Sequence, residues 1–465
     1  MHHSKSWKTF PDFLQDYIKK KLGPGWGNAE IAKPFSERHP LIQWYDAYVR
    51  YGRKMIKVPG EVTSTQINGV VACYLGVANA LYLLEHNVEL QERLLNRLRD
   101  PGNFQGAYYE LIVASILIRA GFTLTLEDEA GRGPKHCEFA AVSGRTGTRY
   151  SVEAKMRAVK GRLGRTTADG GDDGDALGRL VPHLNAALAK PASGERLVFI
   201  DVNAEPAFDE SGKQDWMDTA IKRLERYEGK ELKDGLKAYV FVTNVAYHRQ
   251  LDTVPTLAAL PFGLGIPDFN RPGLITLIDA YRRKEKHIDA YIIGQSLEDA
   301  LRFPVTFDGR LPSEAFDKAN QRITIGETYS FEMDGRELVG TVTTANVSEH
   351  TKQMTIGVSE LGGKNHYLIH RTMTDAELAE YKEYGSAYYG EAKSRSSQVK
   401  DPHELFEWLM AANKNVARDK ILSWFSRNSR LAELVKLSDE ELRLTYCEAL
   451  VHAIEASKNS PDKDE

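Results

Sequence analysis

Three cysteines in 465 residues are too few for a disulfide framework, and Cys73, Cys137 and Cys447 have neither pairing nor metal-ligand spacing. A reducing, cytoplasmic setting is the expectation. Charge of one sign is also scarce. The 61 Lys and Arg against 65 Asp and Glu leave a formal net charge of -4, which excludes a general nucleic-acid coat and confines contact with DNA or RNA to local patches. No secretory leader and no uncharged apolar run of membrane-spanning length is read; the nearest, residues 70–84, suits a buried helix and no membrane partner is expected. Glycine-rich phosphate loops of the Walker or dinucleotide type are missing, and so is a serine-centred nucleophile elbow. The 42% of apolar residues suffices for ordinary cores in about two to four domains.

Against this background one segment stands out, HCEFAAVSGRTGTRYSVEAKMR at 136–157. Ser143-Gly144-Arg145-Thr146-Gly147 is a turn signal, and a loop over Gly144 to Gly147 pairs Ser143 with Thr148. Counting outward sets Glu138 opposite Glu153, with Cβ atoms roughly 4.5–5.5 Å apart on one face. Lys155 shares that face because side chains alternate along a strand. The reverse face, Cys137, Phe139 and Ala141 against Tyr150, Val152, Ala154 and Met156, is apolar core. Opposed carboxylates destabilise a sheet unless a cation sits between them, and hard divalent ions such as Mg²⁺ favour that ligand set. The alternative is a solvated hairpin face whose charges meet only water.

Upstream, residues 104–120 read as a helix stopped by Gly121, with Glu110 as its only acid. Gly106, Ala107, Val113 and Ala114 flank Glu110 at helical spacing, so its carboxylate faces apolar surroundings and needs a partner. That partner is either the neighbouring site or an arginine held for structural reasons. Residues 122–126 alternate as a strand, 176–189 read as a helix, 196–202 as a buried strand, 216–227 as a helix and 238–243 as a strand.

This α-β-β-β-α-β order, with a further α-β, resembles the PD-(D/E)XK nuclease superfamily, the restriction-endonuclease-like fold. The resemblance rests on Glu110 in the first helix, Glu138 on the second strand and Glu153-Ala154-Lys155 on the third, and covers residues 103–245. Glu138 stands where the family usually has Asp. The resemblance implies an α/β core with a central mixed sheet and a Mg²⁺- or Mn²⁺-dependent hydrolysis of phosphodiester bonds. It implies Glu138 and Glu153 as metal ligands, the Ala154 carbonyl as a third, and Glu110 as an indirect support of the metal shell. Lys155 would orient the attacking water and stabilise the developing anion. An acid among residues 127–129 is the alternative to Glu138.

Arg157, Lys160, Arg162 and Arg165 crowd the exit of this hairpin and are candidates for phosphate contacts. The Gly/Asp stretch 166–175 reads as a loop. Asp201 and His248 lie near strand ends and read as structural. Residues 1–100 read as a helical region (10–22, 39–55, 65–84, 88–98), 101–260 as the nuclease-like core, and 261–320 as a mixed connecting segment opened by the Pro/Gly-rich run 261–272. Residues 321–372 change to period two and read as a small β-rich module, with strands at 328–333, 337–347, 353–358 and 366–370. His366 and His370 share a strand face there without a third ligand. Residues 373–465 return to helix and end in a polar tail; the tyrosines of 381–389 could stack on bases or on neighbouring helices.

The expected function is a metal-dependent nuclease cutting DNA rather than RNA, in a restriction or antiphage-defence context, with a protein partner on the N-terminal helices or the β-rich module and homodimer formation as further options. The alternative is a nuclease fold without catalysis that serves as a nucleic-acid-binding or scaffold subunit.

Overall fold

The Ser143–Gly147 run turns the chain as its composition predicts: Ser143 donates its N–H to Thr148 O over 2.9 Å, and Gly147 takes a φ of 73°. The computed structural model describes residues 7, 9–58, 65–126, 137–164, 174–270, 275–302, 304, 323–333, 336–360, 365–384, 401–426 and 429–458. On either side of that turn, β2 (Phe139–Ser143) and β3 (Arg149–Met156) pair antiparallel, Phe139 opposite Val152 and Val142 opposite Arg149. They belong to a six-stranded sheet whose spatial order follows the chain: β1 (Phe122–Thr125), β2, β3, β4 (Glu195–Asp201), β5 (Ala238–Val245) and β6 (Leu257–Leu264). The first three strands form an antiparallel meander, β3 to β5 run parallel, and β6 returns antiparallel. Parallel neighbours require crossovers, which α7 (Leu180–Leu188) and α8 (Trp216–Lys230) supply.

Pro261, expected to open a boundary, lies inside β6 opposite Phe241. Among the described strands β6 is an edge, where proline is tolerated, and the β5–β6 register runs unbroken through it from Leu257 to Leu264.

Register sorts the side chains of β3 between two covered faces. Ala154 stands level with Phe199, which stands level with Phe241, and those rings stack 5.0 Å apart. The helix α6 (Phe104–Arg119) covers this face; its Tyr109 hydroxyl meets Thr243 Oγ1 at 2.7 Å. Glu153 stands level with Val198 and Val240 and so faces the opposite side, where Leu180, Leu184, Ala220 and Leu224 of α7 and α8 bury the sheet. Each fully buried Leu, Val or Phe in these layers contributes roughly 1.5–3 kcal/mol of transfer free energy.

The helices before the sheet join it directly. α4 (Gly69–Leu83) is apolar nearly all round, and α1 (Phe10–Leu22), α3 (Pro40–Met55) and α6 pack against it. Gly69–His86 is the helical stretch among the described residues long and apolar enough to cross a membrane, and 67% of it is buried inside the protein. Its apolarity is therefore that of a core helix. The start of α4 docks on the turn after β5: Gly69 N–H donates to Thr253 O at 3.0 Å and Val70 N–H to Leu251 O at 3.0 Å. α5 (Val88–Arg99) packs against α6.

The chain divides into two compact units, Met1–Gly265 with Ile293–Lys393, and Ile266–Ile292 with Ser394–Glu465. Residues 1–100 thus belong to the same unit as the sheet. That unit also holds a second, antiparallel sheet, β7 (Thr328–Met333), β8 (Arg336–Ser348), β9 (Gln353–Glu360) and β10 (His366–Thr372), in the order β10-β9-β8-β7. One face buries Val342, Met354, Ile356 and Val358. In the other unit, Leu405, Phe406 and Leu409 of the helix Pro402–Ala412 pack with Leu444, Cys447 and Val451 of Asp439–Lys458.

Candidate functional site

The hairpin register continues beyond β2 to Glu138, which sits in a bend one residue before the strand and donates its N–H to Val152 O at 3.1 Å. Glu138 and Glu153 are thereby brought to one point, and Lys155 bridges them. Its Nζ lies 2.9 Å from Glu138 Oε1 and 2.6 Å from Glu153 Oε1. A second ammonium completes the bridge: Lys190, two residues past α7, places Nζ 2.7 Å from Glu153 Oε1, 2.9 Å from Glu153 Oε2 and 3.6 Å from Glu138 Oε1. Lys190 reaches β3 because the segment after α7 runs alongside it, with Ser193 N–H donating to Ser151 Oγ at 3.1 Å.

Glu110 lies on α6 and is buried. Both of its oxygens are taken by Arg97 of α5, Nη2 donating to Oε1 at 2.7 Å and Nη1 to Oε2. Three carboxylates thus face three cations. The Glu153 side chain is 2% exposed and that of Glu138 14%, whereas Lys155 and Arg97 are 28% and 29% exposed, so solvent reaches Lys155 and Arg97 most and Glu153 hardly at all.

The charges shift one another. Burial works to raise the Glu138 carboxyl, but Lys155, with help from Lys190 and Arg97, outweighs it and holds the group below its ordinary range. Burial raises Glu153 above its ordinary range, with Lys155 opposing and Glu138 adding to the rise. Burial likewise raises Glu110; its Arg97 hydrogen bond pulls back and the Glu138 charge pushes up again. Burial would lower Lys155, but Glu138 and Glu153 hold its ammonium form well above the usual lysine range. At neutral pH Lys155 is therefore a fixed cation.

Glu153 Oε1 is the chemically informative atom. It has two ammonium nitrogens within 2.7 Å, yet it is buried without a hydrogen bond of good geometry. Both ammoniums hold this oxygen as an ion pair, and a divalent ion would have to displace at least one of them to bind there. Glu138 and Glu153 would hold such an ion with an ammonium displaced, and Ala154, whose carbonyl is the third candidate, stands between Glu153 and Lys155 on β3. Glu110 enters only through Arg97 and its charge. Among the described residues, no group of three or more His, Cys, Asp or Glu side chains is gathered for a metal. The acids of 127–129 lie outside the described residues.

The basic exit of β3 differs from expectation at its first member. Arg157 is 2% exposed, with Nε donating to Val202 O at 2.6 Å and Nη2 to Asn203 O at 2.9 Å, so it is no phosphate contact. Its N–H also donates to Asp201 O at 2.9 Å, continuing the β3–β4 ladder. The side chain satisfies carbonyls where β4 ends. Lys160 is exposed, Arg162 lies 3.9 Å from Glu205, and Arg165 lies outside the described residues, as do most of the 166–175 loop and 385–389. Asp201 is fully buried and accepts from Val245 N–H at 2.7 Å, Thr243 Oγ1 at 2.9 Å and Asn203 N–H at 2.8 Å; burial pushes its pKa up to about 6. It ties β4 to β5.

Lys190 and Arg97 escape the reading of the sequence. Neither lies on a motif with Glu153 or Glu110, and the loop after α7 gives only the weak signal of a lysine before Pro191. Two cavities of about 530 and 460 Å³ lie elsewhere in this unit, and neither is lined by the carboxylates. No family model, curated protein or solved structure matches this chain.

Proposed function

We propose that the chain is a divalent-metal-dependent nuclease of the restriction-endonuclease-like type, cutting DNA, in a restriction or antiphage-defence setting. The observation that carries this is the convergence of Glu138 and Glu153 on Lys155, whose ammonium lies 2.9 Å from one carboxylate and 2.6 Å from the other. The order of elements supports it: a helix with a buried acid, a three-stranded meander, a crossover helix and a parallel strand. Glu138 and Glu153 would hold the ion, which when bound supplies a water of lowered pKa and neutralises phosphoryl oxygens. Lys155, a fixed cation by its two carboxylates, would place its charge at the developing anion. Glu110, both oxygens held by Arg97, would act on Glu138 only through its charge and not as a ligand oxygen.

A second reading follows from the same ion pairs. Two ammoniums balance Glu138 and Glu153 without a metal, so the cluster also suits a nuclease fold that binds or scaffolds without cutting. The deciding experiment incubates the full chain with single-stranded and duplex DNA and with RNA, in Mg²⁺ or Mn²⁺ and in chelator. Metal-dependent cleavage of DNA is expected, with a loss of at least about 10³-fold in Lys155→Ala and Glu153→Ala while unfolding remains cooperative. Undiminished cutting by Lys155→Ala would sink the mechanism, and binding without cutting under all metals would favour the scaffold.

A further inference from the structure

The cavity of about 530 Å³ is a basic cleft. It is walled by the Phe35–Glu37 turn, by α3 and by the segment that follows β3, and Arg38, Arg50 and Arg162 line it against the single acid Glu37. His39 adds no charge, because burial pushes its pKa down to about 4. Arg38 is committed to Asp46. Arg162 is held loosely, 3.9 Å from a Glu205 carboxylate that lies nearer to Arg249, at 3.2 Å. Arg50 is exposed on α3.

An aromatic ring stands among these cations. Phe35 is 49% exposed, with the Arg50 and Arg38 guanidiniums 5.7 and 6.0 Å from its centroid. A ring that stays half exposed with guanidiniums over it offers its uncovered surface for stacking next to phosphate-binding charge. The wall that carries Arg162 is firm: Gly161, Leu163 and Gly164 take φ values of 76°, 49° and 74°, and Leu163 is buried. A buried leucine in the left-handed region persists only where its surroundings enforce it.

The cleft is tied to the carboxylate cluster by the chain. Arg162 lies seven residues beyond Lys155, a span of at most about 24 Å and so of a few nucleotides. We propose that the cleft takes the single-stranded continuation of the nucleic acid that enters the Glu138–Glu153–Lys155 cluster, with Arg50 and Arg162 on its phosphates and Phe35 stacked on a base. Single strand is specified because a base can stack on Phe35 only when it is free of the helix stack. The direction of the strand rests on the nuclease reading; binding in the cleft does not.

The test is fluorescence anisotropy of the full chain with a labelled oligodeoxythymidine of about 12 nucleotides, in chelator so that nothing is cut. In Arg50→Glu/Arg162→Glu, Kd is expected to rise at least about tenfold and the salt slope to fall by about 1.4, the share of two single-strand phosphate contacts. Phe35→Ala is expected to weaken binding about fivefold or more. Arg50→Gln/Arg162→Gln, with unfolding transitions compared, guards against a folding defect. Unchanged affinity in the folded double variant of a protein that cuts DNA overturns the cleft and leaves the nuclease reading standing. Cleft-dependent binding without cutting in Mg²⁺ or Mn²⁺ does the reverse. Equal competition by a duplex of the same length overturns the single-strand assignment.

Discussion

Lys190 Nζ lies 2.7 Å from Glu153 Oε1 and 2.9 Å from Oε2, so a lysine from beyond α7 straddles a carboxylate in the middle of β3. The Lys190 side chain is 12% exposed and that of Glu153 2%, which places the pair in the range where removal of one partner is felt. Lys190→Met is expected to cost roughly 2–4 kcal/mol of stability, measured by urea unfolding, because Glu153 loses one of two cations. The same variant separates a metal site from a closed ion-pair network. An ammonium that must be displaced competes with the ion, so Mn²⁺ binding by calorimetry should tighten, by about tenfold for each 1.4 kcal/mol of competition removed. Weaker Mn²⁺ binding in a folded Lys190→Met would mean that the lysine supports the site.

The contrast between Lys190 and Glu138 shows where the sequence is readable. Glu138, Glu153 and Lys155 are related by one turn and a period of two, both local, and the Ser143–Thr148 bond fixes their register. Lys190 and Arg97 arrive from other elements, by a crossover and by helix docking that no short-range pattern encodes. Arg157 was legible as a cation but not as a buried one, because its environment is made by carbonyls of Val202 and Asn203 at the end of β4. β6 was hidden by Pro261, whose tolerance depends on the strand being an edge. The join of α4 to the turn after β5 was equally invisible, being a backbone contact between residues far apart in sequence.

That join predicts a strong glycine requirement. A Cβ on Gly69 would meet Gln250 O at 2.2 Å and Tyr247 O at 2.5 Å, both backbone atoms that cannot swing away. Gly69→Ala should therefore destabilise by roughly 1–3 kcal/mol or more, read as a lower urea midpoint. Gly52, inside α3, is the matched control: a Cβ there meets nothing within 4 Å. Gly52→Ala should stabilise by roughly 0.5–1 kcal/mol through helix propensity. Equal effects of the two substitutions would contradict this docking of α4.

Asp201 predicts a pH dependence of definite sign. Burial lifts its pKa from near 3.8 to about 6, against the opposing hydrogen bonds from Val245, Thr243 and Asn203. A carboxyl whose pKa is higher in the folded state takes up protons on folding between the two values. Its contribution to stability is full below about pH 3.8 and is lost as pH rises through about 6. The loss is on the order of 3 kcal/mol. Glu138, held below its ordinary range, works in the opposite sense and loses its contribution as pH falls. Asp201→Asn removes only the first effect. Unfolding free energies at about pH 4 and about pH 7.5 should thus fall less with pH in the variant than in wild type. Parallel profiles would show that Asp201 has no raised pKa.

Arg97 and Glu110 settle whether the acid of α6 serves the site or only its own pair. Arg97 donates to both Glu110 oxygens, and the Glu110 side chain is 5% exposed. Arg97→Met alone leaves a buried carboxylate unpaired and should destabilise by roughly 3–5 kcal/mol. Adding Glu110→Gln removes the stranded charge and should recover a large part of that loss, because a buried pair replaced as a unit is far less costly than one broken. Cleavage measured in the folded double variant then decides the matter. If Glu110 holds potential at Glu138, the metal concentration for half-maximal cleavage should rise several-fold in the double variant with stability largely restored. An unchanged metal dependence would make the Arg97–Glu110 pair a strut between α5 and α6 and nothing more.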